Sequence, residues 1–466
     1  MLLTFQDFGE YKKRGNIAGF IKNAIEEHRA SPMFIDAVTA DAYNHQRNIT
    51  INTYVRTMFT LSGTAIEDFT ASNNKIASNF FHRLNTQRCT YSLGNGISFQ
   101  KENIKEKLGT DFDNKLWDLG YKSLIHGVSF GFWNVDKLYI FPLTEFVPLW
   151  DEYDGTLKAG IRYWQLAPDK PTIAILYEID GYTRYKSVSD KGLVFNIEHE
   201  QKPYKVRVKH TETSGDEVIG VENYSSLPII PMWGSKLHQS TLVGMREKID
   251  SFDLIRSGFA NDLTDCSQIY WIISNCGAMN DEDLAKFRDR LKINHIVNAD
   301  DGDVHPYTQE IPYQARKQYL DDIRAGIYED FGGLDVHTIA AGATNDHIDA
   351  AYQPLDENAD DFEYNIIEFV QQLLSLIGID AVPIFKRNRI SNQKEQTEMV
   401  LQAAQYLDEE TVINKLPFIT LDEVKAIIKK KDAEDVDRLT HGEPTESSEE
   451  TQEQIPVQEG AEGEEA

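Results

Sequence analysis

The chain has 466 residues, of which 75 are acidic and 47 basic, giving a formal net charge of -28. That length exceeds what one hydrophobic core ordinarily organises, so several subdomains are expected, and a hydrophobic content of 41% can fill them. The acid excess argues against tight, sequence-independent gripping of nucleic acid, because such binding needs Lys and Arg to release counterions from phosphates. A protein that surrounds DNA without holding it stays open.

The three cysteines, Cys89, Cys266 and Cys276, are an odd number without CxxC spacing, which reads as reduced thiols in a protein made in the cytoplasm. The opening residues carry neither a basic region nor a sustained apolar run, so secretion is not expected. No apolar run approaches the roughly 18 residues of a membrane span.

Along the chain, residues 15–29 and 32–46 read as helices separated by Ser31-Pro32. The β-branched stretch 49–60 predicts a strand. Residues 73–87, with Ile76, Phe80 and Leu84 four apart, predict a helix, and 117–124 another short one. From 138 to 221 short alternating runs (138–141, 172–178, 193–198, 204–210) are punctuated by Asp154-Gly155, Asp180-Gly181 and Ser214-Gly215, the pattern of antiparallel β structure. Leu227-Pro228-Ile229-Ile230-Pro231 loses two backbone donors and reads as an extended edge.

A long helix is predicted over 240–265, with Leu242, Met245, Ile249, Phe252, Ile255, Phe259 and Leu263 on one face. A small module follows: a strand at 269–273, a helix opened by Asn280-Asp281-Glu282-Asp283 and running through 291, and a second strand at 293–297. Another long helix is predicted over 310–331, with Tyr319, Ile323 and Ile327 four apart and Gly332-Gly333 as its stop. The loop 338–347 is built of small residues and has no aromatic, Lys or Arg. It feeds a helix whose Leu355, Ala359, Phe362, Ile366, Phe369, Leu373 and Leu376 recur at spacings of four and three. So long a stripe demands either a large core or neighbouring copies, and with the two preceding helices it points to a ring. Residues 392–431 are helical again, broken at Leu416-Pro417-Phe418. The stretch 441–466 holds nine Glu and no Lys or Arg, and reads as a disordered tail.

Signs of catalysis are weak. The phosphate-loop pattern G-x-x-x-x-G-K-[ST] does not occur. Gly94-Asn95-Gly96 lacks the third glycine of a dinucleotide site and reads as a tight turn. The run Asp300-Asp301-Gly302-Asp303-Val304-His305 offers hard oxygens and an imidazole to a divalent ion, but not the spacing of a calcium loop, so a turn between strands is expected. Trp150-Asp151-Glu152-Tyr153-Asp154 reads as a solvated acidic turn. No metal, cofactor or catalytic residue is expected.

Several phrases, taken in order, resemble the portal (head–tail connector) proteins of tailed bacteriophages, in the siphophage type of Gram-positive hosts. They are Asn73-Asn74-Lys75-Ile76-Ala77-Ser78-Asn79-Phe80, Tyr91-Ser92-Leu93-Gly94-Asn95-Gly96-Ile97-Ser98 and His126-Gly127-Val128-Ser129-Phe130-Gly131. Leu227–Pro231 followed by Lys248-Ile249-Asp250-Ser251-Phe252-Asp253, then Tyr352-Gln353-Pro354-Leu355-Asp356, continue the series. Leu407-Asp408-Glu409-Glu410-Thr411-Val412-Ile413 with Leu416-Pro417 ends it. The likeness spans about 43–431. The family's N-terminal tyrosine phrase survives as Ala42-Tyr43-Asn44-His45, and 266–309 has little likeness.

The resemblance implies an α+β portal fold: an α/β wing (1–239), a two-helix stem (240–265 and 310–332), a strand–helix–strand clip (266–309), a tunnel loop with a long wing helix (333–390), a helical crown (391–436) and an acidic tail (437–466). It also implies a ring of twelve at one capsid vertex of the virion, assembled in the host cytoplasm, through which double-stranded DNA passes. Terminase large subunit, scaffolding and major capsid proteins and a head-completion (adaptor) protein would be its partners. Thr344, Asn345, Asp346 and His347 would lie at the DNA channel. Ile255, Phe259, Ile323, Ile327, Phe362 and Phe369 would lie between subunits. The alternative is a metal-dependent phage nuclease using the 300–305 or 151–154 acids.

Overall fold

Thr4 begins the folded chain by capping helix α1 (Phe5–Lys13), its hydroxyl accepting from the Asp7 amide while the Asp7 carboxylate accepts from the Thr4 amide. The computed structural model describes residues 3–59, 62–69, 71–101, 103–189, 192–211, 215–265, 270–274, 282, 303–307, 312–336, 345–389, 393–416, 419, 424 and 427–430. These divide into two units, Met1–Arg389 and Ile390–Ala466.

In the first unit α1 and α2 (Ile17–Arg29) bury Phe8, Phe20, Ile21, Ala24 and Ile25 on one face of a five-stranded antiparallel sheet. Its strands run β6 (Phe146–Trp150), β7 (Leu157–Trp164), β8 (Ile173–Glu178), β9 (Gly181–Ser189) and β10 (Gly192–Lys202) as a meander. The period of two is explicit: Ala159, Ile161, Tyr163, Ala174 and Leu176 face the two helices, while Ile175 and Tyr177 face the main core. A hairpin, β11 (Lys205–Thr211) and β12 (Gly215–Glu222), follows. The antiparallel region is therefore as expected, although α1 gave no sequence signal.

The main core lies between α3 (Pro32–Asn44), α5 (Phe80–Leu93), α7 (Phe112–His126) and a three-stranded sheet. That sheet has β4 (Val128–Asn134) in the centre, flanked by β5 (Lys137–Pro142) and β13 (Ile229–Trp233). Pro231 sits opposite Phe130 on the outer strand, where a missing donor costs no second ladder. Helix α10 (Asn345–Leu376) closes the core over β13 and α5. Its approach is allowed by two glycines: a Cβ at Gly120 would lie 2.9 Å from Phe362, and one at Gly131 would lie 2.5 Å from Phe369. Smaller elements are α4 (Ile49–Thr53), β1 (Thr57–Phe59), β2 (Ala65–Glu67), β3 (Ile97–Ser98), α6 (Asn103–Leu108) and β16 (Ile384–Phe385). Helices α8 (Arg246–Asp265) and α9 (Tyr313–Phe331), with the strand pair β14 (Tyr270–Ser274) and β15 (Asp303–Tyr307), complete the unit.

In the second unit, α11 (Gln393–Ala403) and α12 (Glu409–Lys415) follow one another across a 3-10 turn. Asp408 caps α12 by accepting from the Thr411 amide at 3.0 Å.

Several expectations need correction. Residues 49–60 are not one strand: Asn48 caps α4 through the Ile51 amide, and among the described residues of this stretch the strand is Thr57–Phe59. Residues 73–79 form neither helix nor strand, so the helix expected from 73 begins at Phe80. The helix expected from 240 starts at Arg246, after a run of turns. Asp303 and His305 are strand residues paired with Ser274 and Ile272, not a turn between strands, because the partner of β14 comes later than expected. Of the helix expected from 280 to 291 only Glu282 is described, as helical, and the strand expected at 293–297 lies outside the described residues. The helix after the small-residue loop begins at Asn345, well before its apolar stripe, with Pro354 inside it.

Candidate assembly surfaces

Helices α8 and α9 are antiparallel. Lys248 pairs with Asp330, Ser251 Oγ lies 3.2 Å from the Tyr319 hydroxyl, and Phe259 lies near Tyr313 with ring centroids 6.0 Å apart, so positions ascending in one helix meet positions descending in the other, and Asp262 pairs with Arg316 near the same end. The apolar residues between them are shared unequally. Ile327 is wholly buried, whereas Ile255, Phe259 and Ile323 are half-buried.

A second face of α8 carries Asp253, Ser257, Asn261 and Asp265, each one turn beyond the last. They accept in order from the amides of Ser78 (2.9 Å), Ile76 (3.0 Å), Asn74 (2.5 Å) and Ser72 (3.3 Å). Two residues of extended chain advance about 6.6 Å and four residues of helix about 6.0 Å, so alternate amides of a strand can meet every fourth side chain of a helix. This is why 73–79 is not helical: its alternate amides, at 74, 76 and 78, are spent on α8. The same helix also holds the segment around α4, since Asn48 donates to Asp253 at 2.8 Å, Thr50 to Asp250 at 2.7 Å, and the Tyr43 hydroxyl to Asp250. Asp253 has no exposed surface, and burial raises its pKa despite the bonds it accepts.

A third cluster fixes the N-terminal half of α10. Arg387 forks across Asp356, Asp360 and Glu363. Arg389, the last residue of the first unit, reaches Asp349 and Asp356 and donates to the Tyr91 hydroxyl at 2.7 Å. Tyr91 itself donates to Asp356 at 2.6 Å and stacks on Tyr352 with centroids 5.6 Å apart. Burial, reinforced by Asp356, pushes the Tyr91 hydroxyl up to about 12.

These clusters join phrases that are remote in sequence. Tyr43 and 73–78 meet Asp250 and Asp253, Tyr91 meets Tyr352 and Asp356, and Phe130-Gly131 pairs with Ile230-Pro231. Sequence reasoning missed these joins; the signal that could have found one is the polar series 253, 257, 261 and 265, four apart on a helix.

The residues expected at the channel and between subunits fall unevenly. Asn345, Asp346 and His347 occupy the first turn of α10 rather than a loop, with Asp346 and His347 exposed, and Thr344 lies outside the described residues. Ile327, Phe362 and Phe369 are sealed in this chain's own core, so they offer no surface to a neighbour, and the whole stripe from Leu355 to Leu376 is likewise covered from within. Ile255, Phe259 and Ile323 retain some exposed surface. The acidic turn is occupied by its own bonds: Asp151 accepts from Gln6 and from the Tyr153 amide, and Asp154 from Thr156 and Lys158. The hydrogen bonds from Thr156 lower the Asp154 pKa to about 2, as in a solvated turn. No group of three or more His, Cys, Asp or Glu among the described residues is placed to hold a metal ion. Cys89 is buried, and burial raises its thiol pKa, which makes it inert.

Residues 39–437 match the family described as phage portal protein, SPP1 Gp6-like. The chain is 25% identical over 386 residues to the portal protein of Clostridium phage phiCD119, covering 75% of this chain and 82% of that one. It is 24% identical over 434 residues to the portal protein of Bacillus phage SPP1, covering 86% and 83%. Among solved structures, a chain from the neck of a native GTA particle computed with C12 symmetry aligns with a TM-score of 0.41 and 9% identity, over 73% of this chain and 90% of that chain.

Proposed function

Because this chain belongs to the phage portal proteins of the SPP1 Gp6-like family, we propose that it assembles as a ring of twelve at one capsid vertex and forms the channel for DNA packaging and ejection. The family match over 39–437 carries this reading. In it, α8 and α9 form the stem, β14 and β15 belong to the clip, α10 is the long wing helix, and the second unit is the crown with its acidic tail. Thr344 to His347 stand where the tunnel loop joins α10, beside the passing duplex. Terminase large subunit, scaffolding and major capsid proteins and a head-completion protein dock on the ring, which is made in the host cytoplasm and ends in the virion.

Composition supports a conduit that DNA slides through. A formal charge of -28 per copy, multiplied around a ring, leaves few sites where phosphate could be trapped by counterion release. The chain performs no covalent chemistry in this reading. The alternative nuclease draws no support from the 151–154 acids, whose Asp151 and Asp154 are spent on their own turn.

Electron microscopy of the purified full chain tests the assembly. Rings with a central hole are expected. Compact monomers that cleave DNA when a divalent ion is added would overturn the portal reading.

A further inference from the structure

Strands β1 and β2 form an isolated hairpin in which all six strand residues are exposed. A lone two-stranded hairpin is marginal in water, and this one carries Phe59 at 74% exposure, with Met58 and Ile66 paired on its other face. Phe69, two residues beyond the returning strand, is 85% exposed. So much apolar surface on so small an element marks a contact site.

The six strand residues stay exposed rather than being buried by the rest of the chain. The base of the hairpin is pinned by Arg56, which donates to the Ser72 carbonyl at 2.8 Å and pairs with Asp265 at the end of α8. Beside that base lies a cavity of about 260 Å³ lined by Ile51, Tyr54, Leu254, Ile255, Gly258 and Arg316. A cavity of about 150 Å³ with apolar walls already accepts a benzene ring. Residues 57–69 carry Glu67 and Asp68 and no Lys or Arg. In the cavity wall Arg56 and Arg316 already pair with Asp265 and Asp262, and Lys75, whose ammonium donates to the Asn52 carbonyl, supplies the remaining positive charge that complements Glu67 and Asp68. Glu67 lies on the Phe59 face of the hairpin, since Thr57 pairs with Glu67 and Phe59 with Ala65.

We infer that the β1–β2 hairpin of each copy docks into the α4–α8 cavity of the next, with Phe59 seated against Tyr54, Leu254 and Ile255. Knob and hole lie on different patches of one chain, so the contact is heterologous and repeats head to tail, closing when the rotation per copy divides the circle. It also accounts for the half-buried state of Ile255, whose exposed surface the neighbour covers. The inference rests on the ring reading above.

Paired cysteines test it. Phe59→Cys with Gly258→Cys is made in a chain whose Cys266 and Cys276 are replaced by Ser. A Cβ at Gly258 meets no heavy atom within 4 Å, and Phe59 is exposed, so neither change disturbs the folded subunit. Oxidation of rings should give a covalent ladder extending past dimer to the full ring, absent from either single variant. Phe59→Asp should leave the subunit's thermal unfolding unchanged and raise the concentration for half-assembly about tenfold or more. Rings that form without intermolecular cross-links, or normal assembly of the Phe59→Asp variant, would overturn the docking and leave the ring intact. Failure of the unmodified chain to form rings would instead remove the ring reading, and the docking with it.

Discussion

Asp253 concentrates several demands in one carboxylate. It joins Asn48 and the Ser78 amide to α8 and has no exposed surface. Because burial raises its folded pKa above 3.8, the native state holds this proton over a pH range where the unfolded chain has released it. Stability from this group therefore falls as pH rises from 3.8 through the raised folded value, opposite in sign to an ordinary salt-bridged acid. Asp253→Asn stays neutral at every pH and should remove that slope, as read by urea unfolding of the subunit from about pH 4 to 7. Asp253→Ala should cost about 2–3 kcal/mol at neutral pH, since two buried donors lose their acceptor. An unchanged slope in the Asn variant would locate the titration elsewhere. Asp41 runs the other way: burial pulls its pKa up, but the hydrogen bond and charge of His126 and the charge of Lys122 hold it below 3.8, so its contribution is lost on acidification through that lowered value.

Among the elements, α10 is the one that the rest of the first unit is built to receive. Phe369 rests on β4 where Gly131 leaves no side chain, and Phe362 rests on α7 at Gly120. Adding a methyl at Gly131 places a carbon 2.5 Å from a buried ring that has no open space to turn into. Gly131→Ala should thus destabilise the subunit by about 1–3 kcal/mol by lifting α10. Gly258→Ala, on the open side of α8, should be neutral or slightly stabilising, because alanine is the better helix former. Denaturant midpoints of the two variants measured side by side check the contrast; equal effects would mean that α10 is seated by other contacts. The Arg387 and Arg389 clasp acts at the same scale, tying the end of the first unit to four acids on α10.

For the molecule as a whole, charge and assembly are separable. Residues 441–466 hold nine Glu and no Lys or Arg, a composition with too little apolar surface to build a core of its own. Truncation after Thr440 should leave oligomer size unchanged in mass photometry. Removing those acids should also make the remaining ring assemble at lower salt, since less like charge must be screened. A truncated chain that stays monomeric would give the tail a structural role.

Much of this protein was legible in its residues. Acid excess and the missing phosphate loop pointed away from a nucleic-acid grip and an ATPase. Turn dipeptides marked the antiparallel meander, and the ordered phrases from Asn73 to Ile413 pointed to the family that the match over 39–437 establishes. The periodic stripe from Leu355 to Leu376 fixed a helix, because period is a local property. What covers that stripe is not local. A sequence records that an apolar face needs burial without recording by what, and here α5, α7 and β13 bury it within the chain, so Phe362 and Phe369 are core. The run 73–79 failed as a helix for the same reason. Its own residues favour helical spacing, but three side chains of α8, about 180 residues further on, offer its alternate amides better partners. Local pattern determined which segments become helices and strands in most of the chain. Tertiary structure decided which faces remain for a partner, because exposure is set by everything that has already packed.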